Sequence, residues 1–372
     1  MLRRLLFLLV AMMAMAPLAH AEREIRMGFA GPLSGPFAAS GARSRLAVEM
    51  AVRDLNDQGG LLGRTVKLIV ADDACGIDEA VTAAHDLVDA GVDFVVGHVC
   101  SHSSLMAAGI YDAANILMIS PSSTHPRLTE EGRGNVFRLV GRDDHQGELA
   151  ANFLGDHWSG EEIALLHDGS TYGGGLAAQV RRHLQYRGVT EALYQPYSPN
   201  ATSYAALVSR LQQEDIGALY IAGYGPDAGL ILRTARERGY DLQVVGGDAL
   251  GMDEFWTVAG GAGEGTIFSS RPDFRNLPEA ASVLARFQAQ GFRTRMGGSS
   301  AYAAVQVWSE AVARAGGADL AAVTAMLRRG RFGSILGPVA FDGKGDLEGA
   351  VWQWQIWTNG DHHTFVPQLP TQ

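Results

Sequence analysis

Seven side chains at the ends of apolar segments have the types a binding site needs: Ser34, Ser101, Ser122, Thr124, Tyr172, Tyr224 and Asp248. Six are neutral hydrogen-bond formers and one is a carboxylate. Hydroxyls, free backbone N–H groups and helix N-termini suit a small anionic group such as a carboxylate. A lone aspartate in a closed cleft suits an ammonium. Together they describe a zwitterion. Any single Ser or Thr among them also reads as a helix cap or a turn former; the set carries the argument.

Other chemistry has less support. Within Thr171-Tyr172-Gly173-Gly174-Gly175-Leu176-Ala177-Ala178 the spacing Gly-x-Gly-x-x-Ala resembles a dinucleotide fingerprint, with Glu191 downstream. It sits in mid-chain, however, and an exported protein meets little free NAD, so it reads as a helix start with room for close packing. No nucleophile elbow, Walker loop or His-Glu-x-x-His occurs. Asp361-His362-His363 has metal-ligating types but reads as a solvated tail. No catalysis, cofactor or metal is expected. Cys75 and Cys100 are the two cysteines. An even count in an exported chain suggests a disulfide, closing a loop of about 25 residues and stabilising by about 3 kcal/mol. The rivals are a metal site, or a catalytic thiol with His98 or His102 as its base.

The elements that must position these groups alternate in type. Strands are expected at 25–30, 66–70, 94–96 and 116–119, and helices at 44–56 and 78–90. Each strand runs into a small polar turn. After about residue 141 the pattern restarts, with strands at 163–166, 219–222 and 244–247 and helices at 172–187 and 226–239. Such alternation predicts an α/β fold of two doubly wound parallel-sheet lobes. Ligands bind such sheets beyond the carboxyl ends of the strands, where the polar turns lie. Helices are expected at 300–315 and 320–329, followed by Gly-rich turns and a strand at 351–357. There Trp352, Trp354 and Ile356 share a face that packs on a helix layer, with an aromatic platform for a ligand as the lesser reading. From Asp361 the chain reads as a poorly ordered tail.

The chain also begins with an export signal: Arg3 and Arg4, an apolar run over 5–16, then Ala19-His20-Ala21 as a cleavage pattern. The run is shorter than the roughly 20 residues that span a bilayer. Losing those two arginines takes the formal charge from −10 to −12. That balance argues against nucleic acid or anionic lipid as partners.

Several segments resemble, in order, the periplasmic leucine/isoleucine/valine-binding family of ABC-transporter receptors. They are Gly31-Pro32-Leu33-Ser34-Gly35-Pro36, Asn56-Asp57-Gln58-Gly59-Gly60, Asp72-Asp73-Ala74-Cys75, Gly97-His98-Val99-Cys100-Ser101, Ile119-Ser120-Pro121-Ser122-Ser123-Thr124, His167-Asp168-Gly169-Ser170-Thr171-Tyr172-Gly173, Gly223-Tyr224-Gly225-Pro226, Gly337-Pro338-Val339 and Gly343-Lys344-Gly345-Asp346-Leu347.

The resemblance implies two lobes joined by three crossings: 22–141 plus 272–350, and 142–271 plus 351–372. Arg142 falls near the first crossing and residues 271–272 near the second. It implies that Ser101, Ser122 and Thr124, with Ser123 beside them, bind the ligand carboxylate, and that Asp248 pairs with the ammonium. Tyr172 and Tyr224 close from the second lobe, and Val99 and Cys100 wall the ligand side chain. The implied function is a periplasmic, monomeric receptor for a branched-chain or other apolar amino acid, handing its ligand to a membrane permease. Two departures put that side chain in question. Ser40 stands where the family often has tyrosine, and Gly297-Gly298-Ser299 near a position where aromatics line the pocket. Both enlarge or polarise it. A carboxylate ligand lacking an amino group, or a ligand-sensing role in signalling, are the alternatives.

Overall fold

The computed structural model describes residues 24–291 and 298–368. The expected signal, residues 1–21, and Gly297 lie outside them. Among the described residues no helix is long and apolar enough to cross a membrane.

Two sheets organise the chain. In the first, β1 (Ile25–Gly31), β2 (Val66–Asp72), β3 (Phe94–Val96), β4 (Leu117–Ser120) and β5 (Val136–Arg138) lie in the order β2-β1-β3-β4-β5, all parallel. Helices α1 (Ala38–Asp57), α2 (Ile77–Asp89) and α3 (Ser101–Ala113) connect them. The central strands are buried on both faces, which is why Phe94–Val96 reads as an unbroken apolar run. One face packs against α1 and against described residues between Phe274 and Phe341. That later stretch includes α9 (Pro278–Ala289), α10 (Gly298–Ala315) and α11 (Leu320–Arg329). Trp308 of α10 stacks on Phe94 at 4.6 Å.

The second lobe begins with α4 (Asp143–Trp158) and continues through β6 (Glu162–His167), α5 (Thr171–Tyr186), β7 (Leu193–Pro196) and α6 (Ala205–Gln213). It goes on with β8 (Ile216–Ala222), α7 (Gly225–Glu237), β9 (Gln243–Gly246), α8 (Asp253–Ala259) and β10 (Ile267–Ser270). The chain returns at its end to add β11 (Gln353–Thr358) and β12 (Asp361–Phe365). The order is β12-β11-β10-β9-β8-β6-β7, parallel from β10 to β7 and antiparallel at the β10–β11–β12 edge.

Asp361–Phe365 are thus not a loose tail. Asn359 and Gly360 both take positive φ, 52° and 77°, and close a two-residue hairpin. An Asn-Gly pair after an alternating strand is the strongest short-range signal for such a turn. His362 is buried, its Nδ1 bonded to Gln355 Oε1, with Trp357 and Phe268 against its ring at 5.1 and 5.2 Å. The Trp352–Ile356 stripe divides. Trp354 packs on Phe153 in the core, whereas Trp352 precedes the strand and faces the cleft.

Candidate ligand-binding cleft

Three helix N-termini meet between the lobes. Ser101 is the first residue of α3, Tyr172 lies in the first turn of α5, and Tyr224 caps α7 with extended backbone, φ −89° and ψ 157°. Each follows the carboxyl end of a parallel strand, so the loop must turn sharply there and leave its first N–H groups without intrahelical partners. Asp248 opens a helical turn, Asp248–Gly251, after β9. The space between the lobes, about 630 Å³ including a part open to solvent, is lined from both of them.

Of the expected residues, Val99, Ser101, Ser122, Thr124, Tyr172, Tyr224 and Asp248 line this space. Cys100, Ser123 and Ser34 do not. Cys100 is joined to Cys75 with Cα atoms 5.6 Å apart, within the ordinary range for a disulfide. His98 is no base for a thiol there. Its ring is buried between Asp73 Oδ2 (2.7 Å) and the Tyr111 hydroxyl (3.0 Å). Ser123 Oγ is engaged by Ser104 Oγ at 2.7 Å and the Val99 carbonyl at 3.2 Å. Ser34 is exposed and its hydroxyl serves Asp72.

The hydroxyls on the first lobe are not equivalent. Ser122 Oγ donates to the Val99 carbonyl at 3.0 Å and so offers the cavity an acceptor. Thr124 Oγ1 is buried with no partner at hydrogen-bonding geometry, though it lies near enough to Asp143 to favour that carboxylate's ionised form.

On the second lobe Asp248 is buried in a fixed network. The Tyr172 hydroxyl donates to Asp248 Oδ1 at 2.8 Å and Gln146 Nε2 donates to it at 3.2 Å. Gln146 also accepts from the Asp248 N–H (2.9 Å) and from Ser269 Oγ (2.6 Å), and donates to Asp143 Oδ1 (3.1 Å). Burial pushes the Asp248 carboxyl above the ordinary carboxylate range. Burial, with the Asp248 charge added, pushes Asp143 higher still. Tyr224 packs on Tyr172 at 5.3 Å and reaches across to Phe37 at 4.7 Å.

Sequence reasoning missed other walls. Ser44 lines the cavity because α1 starts at Ala38 rather than at residue 44 and turns Ser40 and Ser44 inward together. Trp352 is held by a bond from Nε1 to the Arg142 carbonyl at 3.0 Å. Arg271 also faces the cavity, bonded to Ser300 Oγ; burial lowers its pKa to about 10, against the pull of Asp248. Ser40 does more than leave room: its Oγ donates to Glu254 Oε1 of the other lobe at 2.7 Å. Beside it Arg43 pairs with Glu254 at 3.1 Å and with Asp253 at 3.2 Å.

The glycine run also finds its reason. A Cβ on Gly173 would meet Asp168 Oδ1 at 2.2 Å and the Ala222 carbonyl at 2.5 Å; one on Gly175 would meet His125 of the first lobe at 2.8 Å. These glycines let α5 pack closely within and between lobes.

Comparison with known proteins agrees with this architecture. A family model described as periplasmic binding protein matches residues 24–360. The Leu/Ile/Val-binding protein homolog 1 of Brucella suis is 34% identical over 367 residues, 97% of this chain and 99% of that one. The leucine-, isoleucine-, valine-, threonine- and alanine-binding protein of Pseudomonas aeruginosa is 34% identical over 353 residues, 94% of this chain and 95% of its own. Among solved structures, the leucine-binding protein LivK of Thermotoga maritima superposes with a TM-score of 0.84 at 24% identity, covering 92% of this chain and 98% of its own. The substrate-binding protein LivJ of Streptococcus pneumoniae, crystallised with isoleucine, does so at 0.83 and 23%, with the same coverage. With two mostly parallel sheets, a cleft between them and relatives of this identity over nearly its whole length, the chain belongs to the periplasmic leucine/isoleucine/valine-binding family of branched-chain amino acid ABC-transporter substrate-binding proteins.

Proposed function

We propose that this protein is an exported, non-catalytic receptor that captures an α-amino acid in the cleft and delivers it to an ABC-transporter permease. The observation that carries the reading is the opposition of a buried carboxylate, Asp248, to the hydroxyls of Ser101 at the α3 N-terminus and of Ser122 and Thr124 in the loop after β4, across one cavity. Ser101 and Thr124 would donate to the ligand carboxylate, and Ser122 would join once its hydroxyl turns away from Val99. The positive end of α3 adds to this. Asp248 would take the ammonium, oriented by Tyr172 and Gln146, and Tyr224 would cover the ligand. The protein would act as a monomer whose two units, 22–141 plus 272–350 and 142–271 plus 351–372, move as lobes. Ligand stabilises the closed arrangement because only there do both lobes touch it. The relatives' printed ligands, leucine and isoleucine among them, support the amino-acid class.

A second reading, a small carboxylate without an amino group, is favoured by one feature: Asp248 already accepts from Tyr172 and Gln146 and is pushed toward its neutral form. A thermal-shift screen of the chain from Glu22 against amino acids and small carboxylates separates the two. A ligand at a hundredfold excess over its dissociation constant stabilises by about 2.7 kcal/mol. Asp248→Ala is expected to abolish the shift given by amino acids while leaving the unliganded melting curve in place. Near-native amino-acid affinity in that variant would remove the zwitterion model.

A further inference from the structure

Resting on that amino-acid reading, we propose that the ligand carries a second anionic group that pairs with Arg271, so that the cleft takes an acidic amino acid rather than a branched aliphatic one. Arg271 follows β10 at the second crossing and lines the cavity together with Ser40 and Ser44. Its guanidinium carries five N–H donors. Among the described residues it bonds Ser300 Oγ, lies over the Phe274 ring at 5.4 Å, and has no carboxylate within ion-pair distance. The other arginines around the cleft and its crossings differ. Arg43 has Asp253 and Glu254, Arg138 has Asp346, and Arg142 has Glu130, Asp144 and Asp346. Asp248, the carboxylate that shares the cavity with Arg271, is taken by Tyr172 and Gln146.

A branched hydrocarbon side chain would leave the remaining Arg271 donors desolvated and unpaired as the lobes close, which is unfavourable. A ligand carboxylate would satisfy two of them in a bidentate pair. The surroundings fit the same chemistry. Ser40 stands where the resemblance puts a tyrosine and so leaves room, its own Oγ being held by Glu254 and Arg43. Ser44 adds a hydroxyl to the wall, and Ser299 beside Ser300 keeps a buried Oγ without a partner. The ligand would then present a carboxylate to the hydroxyls and the α3 N-terminus, an ammonium to Asp248, and a second carboxylate to Arg271.

The test is calorimetric titration of the mature protein with L-glutamate, L-aspartate, L-glutamine, L-leucine and glutarate, in the wild type, Arg271→Gln, Arg271→Lys and Asp248→Ala. The expected result is that glutamate or aspartate binds about 10- to 100-fold more tightly than glutamine or leucine, as one charged hydrogen-bonded pair supplies. Arg271→Gln should bring the acidic and uncharged amino acids within a few-fold of each other, and Arg271→Lys should keep part of the preference. Leucine binding most tightly would overturn the inference and leave the amino-acid receptor standing. So would equal weakening of leucine and glutamate by Arg271→Gln, since Arg271 would then serve the α-carboxylate. Glutarate matching glutamate, with no effect of Asp248→Ala, would support Arg271 pairing and remove the amino-acid reading instead. Absence of binding by all three anions would overturn the inference. If Arg271→Gln does not fold, the wild-type ranking of glutamate against glutamine decides.

Discussion

At the scale of single residues, the cleft places a carboxylate where its charge is least at ease. Asp248 is removed from water, and that burial outweighs the hydrogen bonds from Tyr172 and Gln146 and the charge of Arg271, so its protonated form is favoured relative to an ordinary aspartate at 3.8. An incoming ammonium reverses this balance, because it favours the ionised form. The sign follows for binding: protonation removes the charge that the ammonium needs. Amino-acid affinity should be full at neutral pH and fall as pH drops through the raised Asp248 pKa, a loss that begins above pH 3.8 rather than below it. Titration calorimetry between pH 7.5 and pH 4.5 (about one unit apart in each step) would show it. Affinity that stays flat down to pH 4.5 would place the ammonium on another group.

At the scale of elements, the two lobes are joined by side chains near the N-termini of helices. Helix α1 reaches across through Ser40 and Arg43 to Asp253 and Glu254 at the start of α8. Helix α5 approaches His125 so closely that Gly175 has no room for a side chain. Alanine is a better helix former than glycine by about 0.8–1.0 kcal/mol, so Gly175→Ala should leave the unliganded protein as stable as before, or slightly more so. The added methyl would obstruct the approach of the lobes. Ligand affinity should therefore fall several-fold while the unliganded melting temperature holds. Loss of both together would point to misfolding of α5, and loss of neither would mean that the His125 ring moves aside freely.

At the scale of the molecule, one buried cation ties the end of β5 to the segment that precedes β11. Arg138 closes β5 with no exposed surface. It pairs with Asp346 at 2.6 Å and donates to the carbonyls of Ser123 and His125 at 3.0 Å. Asp346, on the segment that precedes β11, also binds Thr129 and Arg142, the latter at the start of α4. Removing one partner of such a pair leaves an uncompensated buried charge and costs about 3–5 kcal/mol. Asp346→Ala should lower the urea midpoint accordingly, and a change below 1 kcal/mol would show that water reaches Arg138 in its place. The carbonyls that Arg138 holds belong to the loop carrying Ser122 and Thr124, so this variant should also weaken ligand binding beyond its effect on stability.

The sequence by itself determined the alternation of strands and helices, the two-lobed α/β class and the cleft end of the sheets, because period and turn chemistry are local properties of the chain. It also pointed to Ser101, Thr124, Tyr172, Tyr224 and Asp248, since polar residues just past buried strands have few other places to go. The edge strand from Asp361 was legible in Asn359-Gly360, but a polar, His-containing segment looks like a tail until Gln355, Phe268 and Trp357 are seen to bury His362. Only the tertiary structure decided which hydroxyls remain free. Ser123 is consumed by Ser104 and the Val99 carbonyl, and Ser122 also donates to Val99, through contacts more than ten residues away along the chain. It also decided that Arg271 enters the cavity, because a crossing segment has no periodic pattern to say which way its side chains face. Where a charge ends up, and whether a partner awaits it there, depends on three-dimensional neighbours such as Ser300 and Phe274, which spacing along the chain does not encode.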